Sequence, residues 1–193
     1  MLAQIRSSDN VHYQLFDASG RAKPIFQENA FAKALLKKGI LSPLWINSPI
    51  AFVVAPFLGS YASEKVIGNL ITNAGFALVA GRLNGSGAPA AATYIAVGTG
   101  TNAASVSDTT LQTETATSGL SRANGSVSLV TTTVANDTAQ VTNTFSVSGS
   151  VAVTESGVLN AASTGTLLCR QVFSAINVVN GDSLAITWKI KAS

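Results

Sequence analysis

The chain carries few groups that can do chemistry. It has one histidine, His12, one cysteine, Cys169, and nine carboxylates: Asp9, Asp17, Glu28, Glu64, Asp108, Glu114, Asp137, Glu155 and Asp182. A Ser-His-Asp site would have to recruit His12, since no other imidazole is present to take the proton from a serine. One histidine and one cysteine cannot supply the four ligands of a structural zinc site. The lone cysteine permits no intrachain disulfide, and its setting, Thr166-Leu-Leu-Cys-Arg-Gln-Val-Phe173, is that of a strand that buries an inert thiol. Glycoside hydrolysis needs two carboxyl groups facing each other across a cleft. Glu155 with Asp108 or Glu114 is the pairing that would serve. Asp137 and Asp182 sit in Asn136-Asp and Asn180-Gly-Asp clusters, where aspartate builds turns.

Gly98-Thr-Gly-Thr101 follows an apolar run and has the look of a phosphate loop. It lacks the third glycine of a dinucleotide fingerprint and the Gly-Lys-Ser/Thr of a P-loop, and no helical pattern follows it. Asn84-Gly-Ser, Asn124-Gly-Ser and Asn136-Asp-Thr match the glycosylation triplet, a match that arises by chance in a chain this rich in Ser and Thr.

Charge is scarce. Charged residues make up 11% of the chain, less than half the globular average of about 25%. The net charge is +3. Residues 1–82 carry +4 and residues 83–193 carry −1, so the basic excess belongs to the N-terminal part. Apart from Lys37-Lys38 the basic residues are single, so no nucleic-acid footprint is expected. Few charges mean little self-repulsion when copies pack side by side. Met1–Asn10 has no apolar core of a secretory leader, so none is expected. Gly39–Ser63 is uncharged, but its longest apolar run, Ile50–Leu58, is nine residues. A spanning helix needs roughly 20, so no membrane span is expected.

These residues must be held by a mainly β framework. The clearest stretch is Gln140–Leu159. Val141, Phe145, Val147, Val151 and Val153 fall on one parity, and Thr142, Thr144, Ser146, Ser148, Ser150 and Thr154 on the other. A period of two places one set in a core and the other on an outer face, with Gly149 as a bend. Leu184, Ile186, Trp188 and Ile190 repeat the pattern at the C-terminal end. Further strands are expected at 93–98, 126–135, 156–160 and 167–173, separated by turn clusters such as Asn124-Gly125 and Asn160–Gly165. Seven or so short strands in about 100 residues indicate an antiparallel β-sandwich or jelly roll.

Before this domain, residues 1–26 form an expected arm with a short strand at Val11–Phe16. Gln27–Lys38 is an expected helix, with Glu28 in its first turn and Lys37-Lys38 in its last. Pro43, Pro49 and Pro56 divide the apolar segment Ile40–Tyr61, which is therefore expected to be extended. Such a segment makes sense against a partner, with Trp45, Ile50, Phe52, Val53, Phe57 and Leu58 as interface and anchoring residues. Glu64–Leu83 is expected as a second helix with Ser63 as its cap, its apolar stripe running through Val66, Ile67, Leu70 and Ile71. The expected division is 1–62 as anchoring arm, 63–91 as helix and linker, and 92–193 as β-sandwich.

Several short motifs in order carry a family resemblance. They are Tyr94-Ile-Ala-Val-Gly-Thr-Gly-Thr101, Asp108-Thr-Thr-Leu-Gln-Thr-Glu114, Arg122, Glu155-Ser-Gly-Val-Leu-Asn-Ala161, Leu167-Leu-Cys-Arg170 and Asn180-Gly-Asp-Ser-Leu184. With Asn69–Gly75 before them, they resemble a module of tailed-bacteriophage virion proteins, over about residues 64–193. The resemblance implies a non-enzymatic structural part: a capsid decoration or cement protein, a head fibre or its base, or a tail, neck or baseplate fibre component. It implies homo-oligomers, often trimers, together with other virion proteins as partners, a place in the virion assembled in the host cytoplasm, and no cofactor. Within the module, Arg122 or Arg170 with Glu155 or Glu114 is expected as a fold-stabilising ion pair. A host-receptor adhesin that binds carbohydrate is the alternative. It would need aromatics in the loops, whereas Tyr94, Phe145, Phe173 and Trp188 lie on strand parity.

Overall fold

Alternation builds the first strand. In β1 (Asn10–Phe16), Val11, Tyr13 and Leu15 are buried while Gln14 between them is exposed. The computed structural model describes residues 10–192, with the side chain of Phe52 excepted. Arg6, Asp9 and the first part of the expected arm fall outside the described residues. The rest of that arm does not stand apart from the β-domain. From Val11 to Phe16, β1 pairs antiparallel with β13 (Ser183–Lys191), opposing Val11 to Trp188 and Leu15 to Leu184.

The chain is mainly β, with 41% of residues in strands and 16% in helices. One sheet runs β2 (Ala22–Lys23), β1, β13, β10 (Thr138–Ser146), β9 (Ser126–Val130), and β5 (Lys65–Gly68) joins it on β1. The second runs β6 (Leu70–Ile71), β12 (Leu167–Val178), β11 (Val151–Leu159), β7 (Tyr94–Gly98), β8 (Ala123–Asn124). All their pairings are antiparallel. Inward side chains of both sheets share one apolar cluster, including Tyr13, Ile95, Val141, Phe145, Val158, Phe173 and Trp188. Such face-to-face packing is the sandwich arrangement. The sheets are also stitched by a buried hydrogen bond, 2.7 Å between the Tyr13 hydroxyl and Ser156 Oγ. Burial there holds the Tyr13 hydroxyl well above its ordinary pKa, the Ser156 bond opposing it only in part.

Gln140–Leu159 is two strands in two sheets rather than one bent strand. β10 lies in the first sheet and β11 in the second, with Val147–Ser150 crossing between them. β10 keeps the alternation, with Val141 and Phe145 buried and Thr144 and Ser146 exposed. β11 loses it from Val153 onward, because both of its faces are covered.

Only the first part of the expected helix at 64–83 is replaced by strands; from Asn73 onward the helix is present. Lys65, Ile67, Asn69 and Ile71 are buried, and Val66, Gly68 and Leu70 between them are not, a period of two. Two inward positions are polar, which disguises the alternation. The helix α3 (Asn73–Asn84) begins later, and its cap is Thr72, whose hydroxyl accepts from the Gly75 amide at 2.9 Å, not Ser63.

The N-terminal helix is also shorter than expected. Residues 25–28 form β3 (Ile25–Glu28), paired with β4 (Gly59–Ala62), and α1 (Ala30–Lys37) follows with Asn29 as its cap. The segment 40–61 is not extended. It contains a 3-10 turn at Trp45–Asn47 and a helix, α2 (Ala51–Leu58). Pro49 precedes that helix and Pro56 lies in its last turn, so only one internal hydrogen bond is forfeited. No helix among the described residues is long and apolar enough to cross a membrane.

Residues 25–62 thus form a small α/β module on the edge of the sandwich. A bulge explains how it is seated. Val153 pairs with Ile176 and Glu155 with Val172, so Phe173–Ala175 stand opposite Thr154 alone. Two of the freed amides are taken up by the module: Ser174 N donates to Glu28 Oε1 at 2.9 Å and Ala175 N to the Pro43 carbonyl at 2.8 Å. Beneath them Lys65 is fully buried. Its Nζ donates to Glu28 Oε2 at 2.6 Å, to the Phe26 carbonyl at 2.7 Å and to Ser174 Oγ at 2.7 Å. All three ammonium protons therefore have acceptors, one from β12 and two from β3.

Burial lowers the Lys65 pKa from 10.5 to about 8, opposed by the Glu28 carboxylate. Between those values the unfolded chain binds more protons than the folded one, so this group makes the fold more stable as pH rises through that window. The ¹³Cε resonance of Lys65 should therefore titrate with a midpoint near 8, well below those of the exposed lysines. At pH 7 Lys65→Met leaves the Glu28 carboxylate buried without its cation and should cost about 3–5 kcal/mol in urea unfolding. The double variant Glu28→Gln/Lys65→Met should recover part of that loss. An additive double variant would show that the two side chains do not act as a pair.

Candidate functional site

The motifs around Gly98, Asp108, Glu155 and Arg170 converge on one place, the outer face of the second sheet. Ser156 and Val158 of β11 point into the core, so Glu155 and Leu159 point outward. The segment 99–114 leaves β7, crosses that outer face, and returns at its base, where Thr99 N donates to the Thr113 carbonyl and Thr115 N to the Val97 carbonyl, both at 2.9 Å. Leu111 plugs it down onto Ala96, Leu159 and Leu167.

Glu155 is the centre of this cover. Its side chain is fully buried, yet both oxygens are saturated. Oε1 accepts from the amides of Gly100 at 3.1 Å and Thr113 at 2.7 Å. Oε2 accepts from the Gln112 amide at 3.0 Å and from Arg170 Nε and Nη2 at 2.8 and 2.7 Å. Arg170, 2% exposed, then reaches Asp108 Oδ2 with Nη1 at 2.8 Å and the Asn102 carbonyl with Nη2 at 3.2 Å. Asp108 Oδ2 also accepts from Ser105 N at 2.8 Å, closing a local turn. The glycines are required by the closeness of the cover. A Cβ on Gly98 would overlap the Thr113 carbonyl oxygen and stand 2.6 Å from Glu155 Oε1, and one on Gly100 would overlap Glu155 Oε1.

Arg122 belongs to a second pair. Nε and Nη2 grip Glu114 in bidentate fashion at 2.9 and 2.6 Å, and Nη1 holds the Ala161 and Thr164 carbonyls at 2.9 and 2.7 Å. Arg122 does not meet Glu155; it ties the end of the cover to the turn after β11.

These arrangements hold a fold together. Glu155 and Asp108 are bridged by one guanidinium rather than set across an open cleft, and Glu155 has no lone pair left for a substrate proton. Glu114 is occupied by Arg122. His12 Nδ1 lies 2.9 Å from Glu64 Oε1. Cys169 is fully buried, and burial pushes its thiol well above its ordinary pKa, which disfavours the reactive thiolate. Among the described residues no three His, Cys, Asp or Glu side chains cluster as metal ligands would. Asp137 accepts from the amides of Thr132, Thr133 and Val134, with Val134 contributing most to a pKa held well below the usual carboxylate range. Asp182 accepts from Val179 N at 2.9 Å and pairs with Lys23 at 2.6 Å.

The expected anchoring residues divide. Trp45 and Leu58 are 6% and 7% exposed and build the module's own core with Phe26 and Ala32. They cannot present themselves to a partner. Ile50 and Val53 are both 64% exposed and Phe57 76%. Phe52 lies outside the described side chains. Phe31, Ile40, Leu44 and Tyr61 of the same module are also exposed. Half of the large exposed apolar side chains among the described residues thus lie between Phe31 and Tyr61. Isolated exposed apolar groups are ordinary, whereas contiguous apolar patches are the kind of surface that interactions use. Comparison with protein-family models, curated proteins and solved structures found no match.

Glu155→Gln keeps the shape and removes the charge that faces Arg170. It should cost about 3–5 kcal/mol in chemical denaturation. Native-state hydrogen exchange should speed up selectively at the Gly100, Gln112 and Thr113 amides. If those amides keep wild-type protection, the carboxylate does not hold the cover.

Proposed function

We propose that this chain is a non-enzymatic structural component of a tailed-phage virion, a capsid-attached decoration, cement or head-fibre-base protein that is assembled in the host cytoplasm. The observation that carries this reading is the exposed apolar surface of Ile50, Val53 and Phe57 on a module that is itself rigidly docked on the sandwich. The module, rather than an N-terminal arm, then makes the attachment, and the sandwich projects from it. The low charge supports dense packing of copies, since like-charge repulsion between neighbours is small. The few charged groups inside the protein support a structural role as well. Glu155, Arg170, Lys65 and Glu28 are fully hydrogen-bonded to each other and to backbone, which favours shape over turnover.

Copy number separates head from tail. Quantitative mass spectrometry of the particle should give hundreds of copies for a capsid decoration and a dozen or fewer for a neck, tail or fibre part. For the isolated chain, sedimentation velocity should show self-association. Val53→Asp/Phe57→Asp should return it to monomer and abolish its binding to particles, without lowering Tm. A wild-type chain that stays monomeric, or a double variant that still binds particles fully, would overturn attachment through this face.

A further inference from the structure

Between α1 and the two sheets lies a cavity of about 300 Å³, at the lower end of the size range of small-molecule sites, about 300–1,000 Å³. α1 forms one wall, the run from Ile67 to Leu70 and the run from Gln171 to Phe173 form the other, and the cover contributes Ala103 and Ala104. The lining is mainly apolar. Its charges are unbalanced. Lys33 and Lys37 stand one turn apart on α1, on the same face as neighbours at i and i+4. The carboxylate on the lining, Glu28, is already committed to Lys65 at 2.6 Å. Neither Lys33 nor Lys37 pairs with a carboxylate among the described residues. Lys33 has only a long hydrogen bond, 3.3 Å, to the Val66 carbonyl, and stands near enough to Lys65 for the two ammonium groups to repel. The region therefore holds three ammonium groups against one carboxylate.

We propose that this cavity binds a small amphipathic carboxylate, its head group between Lys33 and Lys37 and its apolar body against Leu36, Ile67 and Phe173. The charge imbalance selects the head group and the apolar wall selects the body. This is a division typical of ligand pockets, in which a few polar groups orient a largely apolar molecule. The proposal does not depend on the attachment reading. The cavity faces β5 and β12, and the residues that carry attachment, Ile50, Val53 and Phe57, do not line it.

Octanoate is the probe, titrated into the intact chain and followed by amide NMR, with octanol and octylammonium as controls. Octanoate should shift Lys33, Lys37, Gly68, Asn69 and Ala103 saturably, and octylammonium should not. Lys33→Gln/Lys37→Gln should weaken octanoate about tenfold, whereas Lys33→Arg/Lys37→Arg should hold it within about twofold. Both positions are exposed, so the fold is not at risk. Ala104→Phe fills the cavity without altering charge and should abolish binding. Four results would overturn the proposal: no saturable shift at millimolar octanoate, equal binding of octanol, shifts centred on Val53 and Phe57, or an unchanged affinity in the Gln variant.

Discussion

A carboxylate removed from water sets the form of the second sheet's outer face. An ionised side chain as buried as Glu155 is tolerated only if every lone pair is met, since its desolvation costs several kcal/mol. Five donors meet it: three amides from the covering segment and two guanidinium nitrogens from β12. The three amides must be brought to the carboxylate, so the chain between β7 and Glu114 has to fold over it. The close approach excludes a Cβ at 98 and 100, which accounts for Gly98-Thr-Gly100. Arg170 is then itself a buried cation with one nitrogen still to satisfy, and Asp108 is placed to satisfy it. One charge thus accounts for Gly100, one arginine, one further carboxylate and the path of a loop.

Lys65 plays the corresponding part where the helical module meets the sandwich. The bulge opposite Thr154 would leave the Ser174 and Ala175 amides unpaired in a buried strand, a cost comparable to losing two hydrogen bonds. Glu28 and the Pro43 carbonyl cover them, and Lys65 neutralises Glu28. Bulge, carboxylate and lysine are one unit, and none of the three is stable at that position without the others. The module's placement is fixed in part by this hydrogen-bond satisfaction.

The strands that bury one face and wet the other were legible in the sequence: β1 and β13 follow their alternation residue by residue, and β10 keeps it at Val141 and Phe145. Where both faces are covered, as in β11, or where an inward position is polar, as at Lys65 and Asn69, the period of two is masked and a helical stripe through Val66, Ile67 and Leu70 takes its place. Prolines misled in the other direction. Pro49 precedes a helix of eight residues and Pro56 lies in its last turn, where it removes one internal hydrogen bond and the helix still forms. Among the charged residues, the closeness of Arg170 to Glu155 was within reach because the chain offers so few charges. Lys65 with Glu28 was not, because their separation in sequence carries no signal and Glu28 reads equally well as a first-turn helix acid.

The distribution of charge against apolar surface is what supports the proposed role in assembly. Most soluble proteins keep their charges outside and spend apolar groups within. Here, from a chain only 11% charged, Glu28, Lys65, Glu155, Arg170 and Asp182 are all buried. Five of the 21 charged residues are thus consumed in fixing two loops and one module. What remains outside is largely hydroxyl and amide, with a local concentration of Ile50, Val53 and Phe57. A surface of that kind resists association weakly everywhere and favours it strongly in one place. Association directed to one face is the property a part needs if it is to occupy a fixed site in a larger shell without adhering to itself at random.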